Sequence, residues 1–186
     1  MTAPAIDALL ALYRRWGGDP YDEELSQLAH AEQTAALATA ASAPDELVIA
    51  ALVHDVGHLL DLAAGDEGRA ATADLRHEVT GSDHLAALFP PAVTVPVALH
   101  VQAKRYLCAT DAGYAGRLSA GSQRSLRHQG GPMDLEEVTA FEATDGWHDA
   151  VLLRRWDDKG KVRGLAVEPL AHYRDLLVAV ALPEIA

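Results

Sequence analysis

The sequence predicts an all-α fold, and three observations support that prediction. No segment sustains the period-two alternation of apolar and polar residues that marks a half-buried β-strand. Ile, Phe and Tyr, which favour strands, are few. Hydrophobic residues make up 49% of the chain although aromatic residues make up only 5%, which indicates a helical body rich in Ala, Leu and Val.

Nine helices are predicted in order along the chain, and turn-forming residues separate several of them. The run Gly17-Gly18-Asp19-Pro20 ends the first helix, Pro44-Asp45 opens the third, and Pro90-Pro91 separates the fourth from the fifth. Residues 63–70 are expected to form a solvated loop. The predicted helices cover residues 4–16, 22–41, 45–62, 70–89, 92–105, 119–127, 134–143, 145–157 and 168–182.

Length, charge and cysteine content narrow the class of protein. The 186 residues fit a single domain, 1–186, with a sizeable core. A formal charge of −12 disfavours a nucleic-acid partner but leaves room for a small anion. The lone cysteine, Cys108, excludes a disulfide framework and a thiolate-based zinc site. No run approaches the ~18 apolar residues of a membrane span, so we expect a soluble, cytoplasmic protein without membrane contact.

The run Ala51–His58 is the first candidate for a functional site. It places His54, Asp55 and His58 in a strongly apolar segment, where each polar group needs a partner. On one continuous helix, His54 and His58 would share a face and Asp55 would lie about 100° around it. A metal cation would satisfy all three groups. The alternative is that they are hydrogen-bonded core residues or belong to a helix end.

Other segments extend this run into a pattern that spans nearly the whole chain. His30, His77 and His100 stand on three more predicted helices, and residues 154–158 supply late acids. The order H…HD…H…H…D resembles the HD-domain superfamily of metal-dependent phosphohydrolases and oxygenases. The flanking motifs are similar to one branch of it, the mixed-valent di-iron oxygenases that cleave organophosphonates. These motifs are Tyr21–Glu24, Ser26–His30, His100–Leu107, Ser122–Met133 and Leu153–Lys159. The resemblance implies an all-α, single HD-domain helical bundle.

The resemblance also implies two metal ions. Asp55 would bridge them, because a carboxylate has two oxygens and a bridging anion lowers the repulsion between two cations. Imidazole and carboxylate ligands suit iron or manganese and leave zinc open, whereas the branch implies a mixed-valent Fe(II)/Fe(III) pair with O₂ as co-substrate. The implied ligands are His30, His54, Asp55 and Asp157 for one ion, with His77 and His100 completing the second.

Two of these ligands have rivals nearby in the sequence. The family pattern Arg-Trp-Asp favours Asp157, with Asp158 as the fallback, whose other role would be a surface acid paired with Lys161. His84 shares a helix face with His77, but the family pattern continues from His77 into Glu78 and Gly81. The remaining histidines, His128, His148 and His172, have no motif around them and are expected at the surface or at helix ends.

A second group of residues is predicted to bind the substrate anion. Lys104 follows His100 by one helical turn, so its ammonium can reach the same cavity; the alternative is a surface lysine. Ser122, Ser125 and Gln129 are spaced to share one face just before a Gly-Gly pair, although Ser122 is also a plausible helix cap. Arg154 would join this cradle or orient Asp157.

The resemblance assigns roles to three further residues. Tyr21 would occupy the site until substrate arrives, and Glu24 would meet a substrate amino group; the alternative for Tyr21 is a hydrophobic staple before the helix. His58 would hydrogen-bond substrate or oxygen and handle a proton without binding metal.

The implied reaction is oxidative, O₂-dependent cleavage of the C–P bond of a small 1-hydroxyalkylphosphonate. Because Glu24 is present, the sequence predicts 2-amino-1-hydroxyethylphosphonate or an N-methylated relative, giving phosphate and a glycine-type acid. The alternative is an HD-domain phosphohydrolase that acts on a nucleotide or phosphomonoester through a metal-activated water. His77 and His100 favour the two-metal oxygenase over a one-metal hydrolase. No sequence feature indicates an oligomeric state.

Overall fold

A computed structural model describes residues 2–21, 25–65 and 76–183, and in these ranges the chain is helical with no β-strand, which confirms the all-α prediction. The only strand-like feature there is an isolated antiparallel bridge between Pro20 and Ser26. The α-helices are α1 (Thr2–Trp16), α2 (Gln27–Ala40), α3 (Asp45–Val53), α4 (Val56–Ala63), α5 (His77–Leu85), α6 (Pro91–Thr110), α7 (Tyr114–Arg117), α8 (Ala120–His128), α9 (Leu135–Glu142), α10 (Trp147–Lys159) and α11 (Arg174–Val180), with a 3₁₀ turn at Leu170–Tyr173.

Helix α3 lies at the centre of the main core. Every residue from Leu47 to Val53 is buried, because the helix is apolar on all sides and other helices surround it. Helices α1, α2, α6, α10 and α11 pack around it. The segment that carries the histidine-aspartate pair therefore begins inside the core and not at the surface.

Helix α6 is the longest helix in the described ranges, and it contributes to the main core and to two smaller apolar clusters. Its 20 residues pack against α3, α5 and α10. Two smaller apolar clusters join its C-terminal half to α7–α10. His100 and Lys104 thus lie on a buried helix that passes from the main core to the smaller clusters.

The predicted helix 45–62 is in fact two helices, and this is the main correction to the predicted elements. His54 and Asp55 lie between α3 and α4, and Asp55 has φ −100° and ψ 15°, outside the helical range. His54 and His58 therefore do not share one helix face. The Asp55 side chain caps no backbone amide and is free to point into the interior.

Other boundaries also differ from the prediction. Helix α2 begins at Gln27, not at 22, because the hydroxyl of Ser26 accepts a hydrogen bond from the amide of Ala29 and caps the helix there. Helix α5 begins after Arg76, whose φ of 54° is left-handed. Helix α6 continues five residues past the predicted 105, and α7 was not predicted. In place of the final predicted helix, 168–182, the chain forms the 3₁₀ turn followed directly by α11.

A glycine contact sets the distance between α4 and α5. A Cβ atom at Gly57 would lie 2.1 Å from the carbonyl oxygen of His77, so only glycine allows these helices to approach so closely. This approach brings His77 to the gap that contains Asp55. In the described ranges, none of the helices has the length and hydropathy needed to cross a bilayer.

Candidate metal centre and anion site

Five side chains converge at the gap between α3 and α4. His30 comes from α2, His54 and Asp55 from the gap itself, His77 from the first residue of α5, and His100 from the middle of α6. All five are buried, with 8% exposure or less. The sequence-predicted set therefore meets in space although 70 residues separate its first and last members.

The two oxygens of Asp55 face different histidine pairs. Asp55 Oδ2 lies 3.3 Å from His54 Nε2 and 3.6 Å from His30 Nε2. Asp55 Oδ1 lies 3.4 Å from His77 Nε2 and 3.6 Å from His100 Nε2. Within each pair the two Nε2 atoms are 3.3 Å and 3.2 Å apart, respectively. The arrangement is two adjacent triangles of ligand atoms that share one carboxylate.

Backbone carbonyls determine which ring nitrogen carries the proton. His30 Nδ1 lies 2.8 Å from the carbonyl oxygen of Gly160, His54 Nδ1 lies 2.9 Å from that of Ala51, and His100 Nδ1 lies 2.7 Å from that of Val97. Because a carbonyl oxygen only accepts, each of these Nδ1 atoms donates. When these rings are neutral, their Nε2 lone pairs point toward one another, an arrangement that a cation would stabilise.

The pKa shifts in the cluster also favour a bound cation. Burial alone would raise the pKa of Asp55, but the neighbouring imidazoles of His54 and His77 hold it well below its usual range. Burial opposes protonation of His54, yet the carboxylate of Asp55 raises the pKa of that imidazole. Burial and the charge of His77 lower the pKa of His100 well below its usual range. The site thus combines a buried carboxylate with imidazoles that favour a cation.

The donor set fits two metal ions. Metal–ligand bonds of about 2.1 Å give ligand–ligand separations of roughly 3.0–3.4 Å for tetrahedral or octahedral angles. Four of the six observed separations, 3.2–3.4 Å, lie in that range, and the other two, from Asp55 to His30 and His100, are 3.6 Å. Nitrogen and carboxylate donors without thiolate suit iron, manganese or zinc. His30 and His54 could hold one ion and His77 and His100 the other, with Asp55 between them.

Asp157 lies beside the first histidine pair. Its Oδ1 is 3.3 Å from His30 Nε2 and 2.9 Å from Lys161 Nζ, and its Oδ2 is 2.5 Å from Arg154 Nη1. Burial would raise the pKa of Asp157, but Arg154 and Lys161 hold it well below its usual range. Its carboxylate is therefore available as a fourth ligand of the first ion.

The fallback acid, Asp158, points elsewhere. Its carboxylate accepts hydrogen bonds from Arg154 and from the hydroxyl of Tyr114. Lys161 pairs with Asp157, so the alternative in which Asp158 is a surface acid paired with Lys161 is wrong. Arg154, only 3% exposed, contacts both acids and the hydroxyl of Ser122, which combines the two roles considered for it.

Next to Asp157 lies a cluster of donors that could bind an anion. Lys104 is buried, with 3% exposure, and its Nζ donates to Ser125 Oγ at 2.9 Å, so it is not a surface lysine. Burial and the charge of Arg154 lower the pKa of Lys104 to about 8. Ser122 is not the cap of α8, because Ser119 accepts from its amide. Gln129 ends α8, and its buried Oε1 has no hydrogen-bond partner.

Lys161 is the residue that the sequence reasoning missed at this site. It follows α10, and its Nζ lies 3.3 Å from Ser122 Oγ and 5.2 Å from the centre of the Tyr21 ring. The signal in the sequence is its position four residues after Asp157, whereas the sequence prediction paired Lys161 with Asp158.

Tyr21 and His58 flank the two histidine pairs. The Tyr21 ring stacks on His30 with its centroid 4.0 Å away, and burial and the charge of Asp157 raise its pKa well above the usual value. The His58 ring stacks on His77, also at 4.0 Å, and burial and the charge of His77 lower its pKa to about 3. His58 lies close enough to Asp55 and His77 to form a third metal-binding group with them. Glu24 lies outside the described residues.

The rival histidines lie away from the centre. His84 is exposed on α5, as are His128, His148 and His172 on their own elements. His84 borders a shallow apolar cavity of about 310 Å³ between α1 and α5. His77 is thus the member of the His77–His84 pair that faces Asp55.

Two curated proteins are similar to this chain over most of its length. A hydroxymethylphosphonate dioxygenase from Gimesia maris is 45% identical over 168 residues, which cover 90% of this chain and 84% of that protein. A [1-hydroxy-2-(trimethylamino)ethyl]phosphonate dioxygenase (glycine-betaine-forming) from Leisingera caerulea is 35% identical over 173 residues, which cover 92% of this chain and 88% of that protein. No family model matches the chain.

Proposed function

The chain belongs to the family of phosphonate dioxygenases, and from that premise we propose that it uses two iron ions and O₂ to cleave the C–P bond of a small 1-hydroxyalkylphosphonate. The observation that carries the proposal is the position of Asp55, with one carboxylate oxygen toward each histidine pair. A one-metal hydrolase would need only one of these pairs.

The ligands of this proposal are His30, His54, Asp55 and Asp157 for one ion and Asp55, His77 and His100 for the other. A mixed-valent Fe(II)/Fe(III) pair would supply oxygen activation and two adjacent positions for the hydroxyl and phosphonate oxygens of the substrate. The protein's own part is to fix both ligand sets. Three backbone carbonyls hold the imidazoles of His30, His54 and His100 with their Nε2 atoms inward, so little reorganisation accompanies the reaction.

The phosphonate group would lie against Lys104, Ser122, Ser125, Gln129 and Arg154. Charge-assisted hydrogen bonds from buried Lys and Arg to an anionic oxygen are strong and directional. Burial and the charge of His77 lower the pKa of His58 to about 3, so the neutral ring would accept a hydrogen bond from the substrate hydroxyl. Tyr21 covers His30 and would move aside when substrate binds.

Hydroxymethylphosphonate is the first candidate substrate. The Gimesia maris relative is named for it. Near the anion site, the carboxylates of Asp157 and Asp158 are already paired with Arg154 and Lys161, and among the described residues these pairs leave neither carboxylate for a substrate ammonium. Lys104 and its neighbours would recognise a hydroxyl and a phosphonate, which are the groups that this substrate offers. One O₂ would convert it to formate and phosphate.

An amine-bearing substrate is the second candidate. Glu24 supports it, because a carboxylate three residues after Tyr21 could pair with an ammonium group. The Leisingera caerulea relative, whose named substrate carries a trimethylamino group, also supports it. This candidate comprises 2-amino-1-hydroxyethylphosphonate and its N-methylated relatives.

The test compares both substrates on one iron-loaded preparation. Oxygen uptake is followed electrochemically, and the carboxylate product and phosphate are quantified by NMR. The proposal predicts oxygen uptake with at least one substrate, and a higher kcat/KM for hydroxymethylphosphonate supports the first candidate. Turnover of neither phosphonate, together with oxygen-independent hydrolysis of a phosphomonoester, would overturn it.

A further inference from the structure

We propose that Lys161 is a further phosphonate-binding residue, and that Gln33 positions it; this inference rests on the proposed function. Lys161 lies in the segment after α10, its side chain is 10% exposed, and it contacts both Asp157 and Ser122. It therefore links the first candidate metal set to the anion site.

The hydroxyl of Ser122 has more donors around it than it can accept from. Arg154 Nη2 lies 3.5 Å from this oxygen, Lys161 Nζ 3.3 Å and Ser119 Oγ 3.2 Å. A serine oxygen has two lone pairs, so it cannot accept from all three donors at once. An anion with three oxygens placed among them could accept from each, and a phosphonate is such an anion.

The net charge of the site also favours a bound anion. Lys104, Arg154 and Lys161 contribute three positive charges, whereas Asp157 and Asp158 contribute two negative ones. When a metal cation binds Asp157, less of that carboxylate's charge remains for Lys161. The site then holds an excess of buried positive charge that a doubly charged phosphonate would compensate.

Gln33 holds the segment that carries Lys161. Its side-chain Nε2 donates to the carbonyl oxygen of Val162 at 2.8 Å, and its Oε1 accepts from the amide of Val162 at 2.9 Å. Gln33 is only 2% exposed on α2, one turn from His30. This two-point contact with the residue next to Lys161 limits where its ammonium can lie, because it fixes the adjacent peptide to the helix that carries His30.

The experiment measures binding of methylphosphonate, which lacks the reacting hydroxyl. Its Kd is measured by calorimetry on the metal-loaded protein, together with metal content, KM and kcat. Lys161→Met keeps the length and apolar stem of the side chain and removes its charge. Lys159→Met is the matched control, because Lys159 is two residues away and exposed. Lys161→Arg restores the charge, and Gln33→Met removes both hydrogen bonds while Lys161 stays.

Lys161→Met should raise the Kd for methylphosphonate about tenfold to hundredfold, the range expected for one charged contact. KM should rise in parallel, while metal content should match wild type. Lys161→Arg should recover most of the affinity, Lys159→Met should match wild type, and Gln33→Met should weaken binding with the charge still present.

Three results would overturn the inference. The first is a wild-type Kd in Lys161→Met. The second is weaker binding accompanied by an equal change in metal content, which would mean that Lys161 acts only on Asp157. The third applies if Lys161→Met does not fold, and it is a methylphosphonate Kd of Gln33→Met that equals the wild-type value. If the wild-type protein neither binds methylphosphonate nor turns over a phosphonate, the proposed function fails and the inference fails with it.

Discussion

The contact between Gly57 and the His77 carbonyl permits a prediction whose size follows from the structure. In Gly57→Ala, the new Cβ would lie 2.1 Å from the His77 oxygen and 2.7 Å from its carbonyl carbon. Ordinary van der Waals contact begins near 3.4 Å, so α5 would have to move away by about 1.3 Å. Metal–ligand distances are expected to lie within about 0.2 Å of their usual values, a margin far smaller than this shift. The variant should therefore lose the metal that His77 helps to hold and keep the other.

The same overpacking has a cost in stability. Inserting a methyl group into a packed interior costs about 1–3 kcal/mol, which for a chain of this length lowers Tm by about 2–12 °C. Thermal unfolding followed by circular dichroism measures this change, and metal analysis of the folded protein measures the stoichiometry. Gly116→Ala is the control, because no atom lies within 4 Å of its new Cβ and the position is an exposed helical site.

The control should be neutral or stabilising by up to about 1 kcal/mol. The reasoning is refuted if Gly57→Ala keeps both the wild-type Tm and two metals per chain, because α5 would then not be held at the distance that the structure gives.

Three further predictions address the metals, the anion site and the substrate tail. His77→Ala should reduce metal content from about two ions per chain to about one, measured by elemental analysis; an unchanged content near one in active wild-type and variant protein would remove the two-metal proposal. Lys104→Ala should leave metal content intact and weaken methylphosphonate binding by about 1.5–3 kcal/mol. Because the pKa of Lys104 is about 8, wild-type affinity should fall as pH rises through 8, and Lys104→Arg, which stays charged, should not show that loss. Glu24→Ala should raise KM for 2-amino-1-hydroxyethylphosphonate more than KM for hydroxymethylphosphonate, and equal changes for both would argue against amine recognition.

The helical body could be predicted from local patterns, because a continuously buried helix requires a continuous run of apolar residues. The apolar run Leu47–Val53 indicates a buried helix, and it forms α3 at the centre of the core. The break after it could not be predicted in this way. Asp55 leaves the helical conformation where its carboxylate faces the imidazole of His54 and three more imidazoles from distant segments, and no residue of the run encodes those three contacts.

In the candidate site, likewise, some residues could be predicted from the sequence and others could not. The histidines and Asp55 follow a recognisable order, and the structure brings them together. Lys161 has no comparable local signal, because its place depends on a side chain 128 positions earlier, Gln33, that binds the backbone next to it. The pairing of Asp158 with Arg154 and Tyr114 is also tertiary, since Tyr114 lies on α7, a helix that the sequence did not predict.

The ratio of O₂ consumed to phosphate released is the most direct test of the central claim. Iron-loaded protein would be given hydroxymethylphosphonate and 2-amino-1-hydroxyethylphosphonate separately, with O₂ followed by electrode and phosphate by NMR in the same reaction. Oxidative C–P cleavage at a two-metal centre predicts one O₂ consumed for each phosphate released, and no phosphate under anaerobic conditions. Phosphate release that continues without O₂ would contradict the claim.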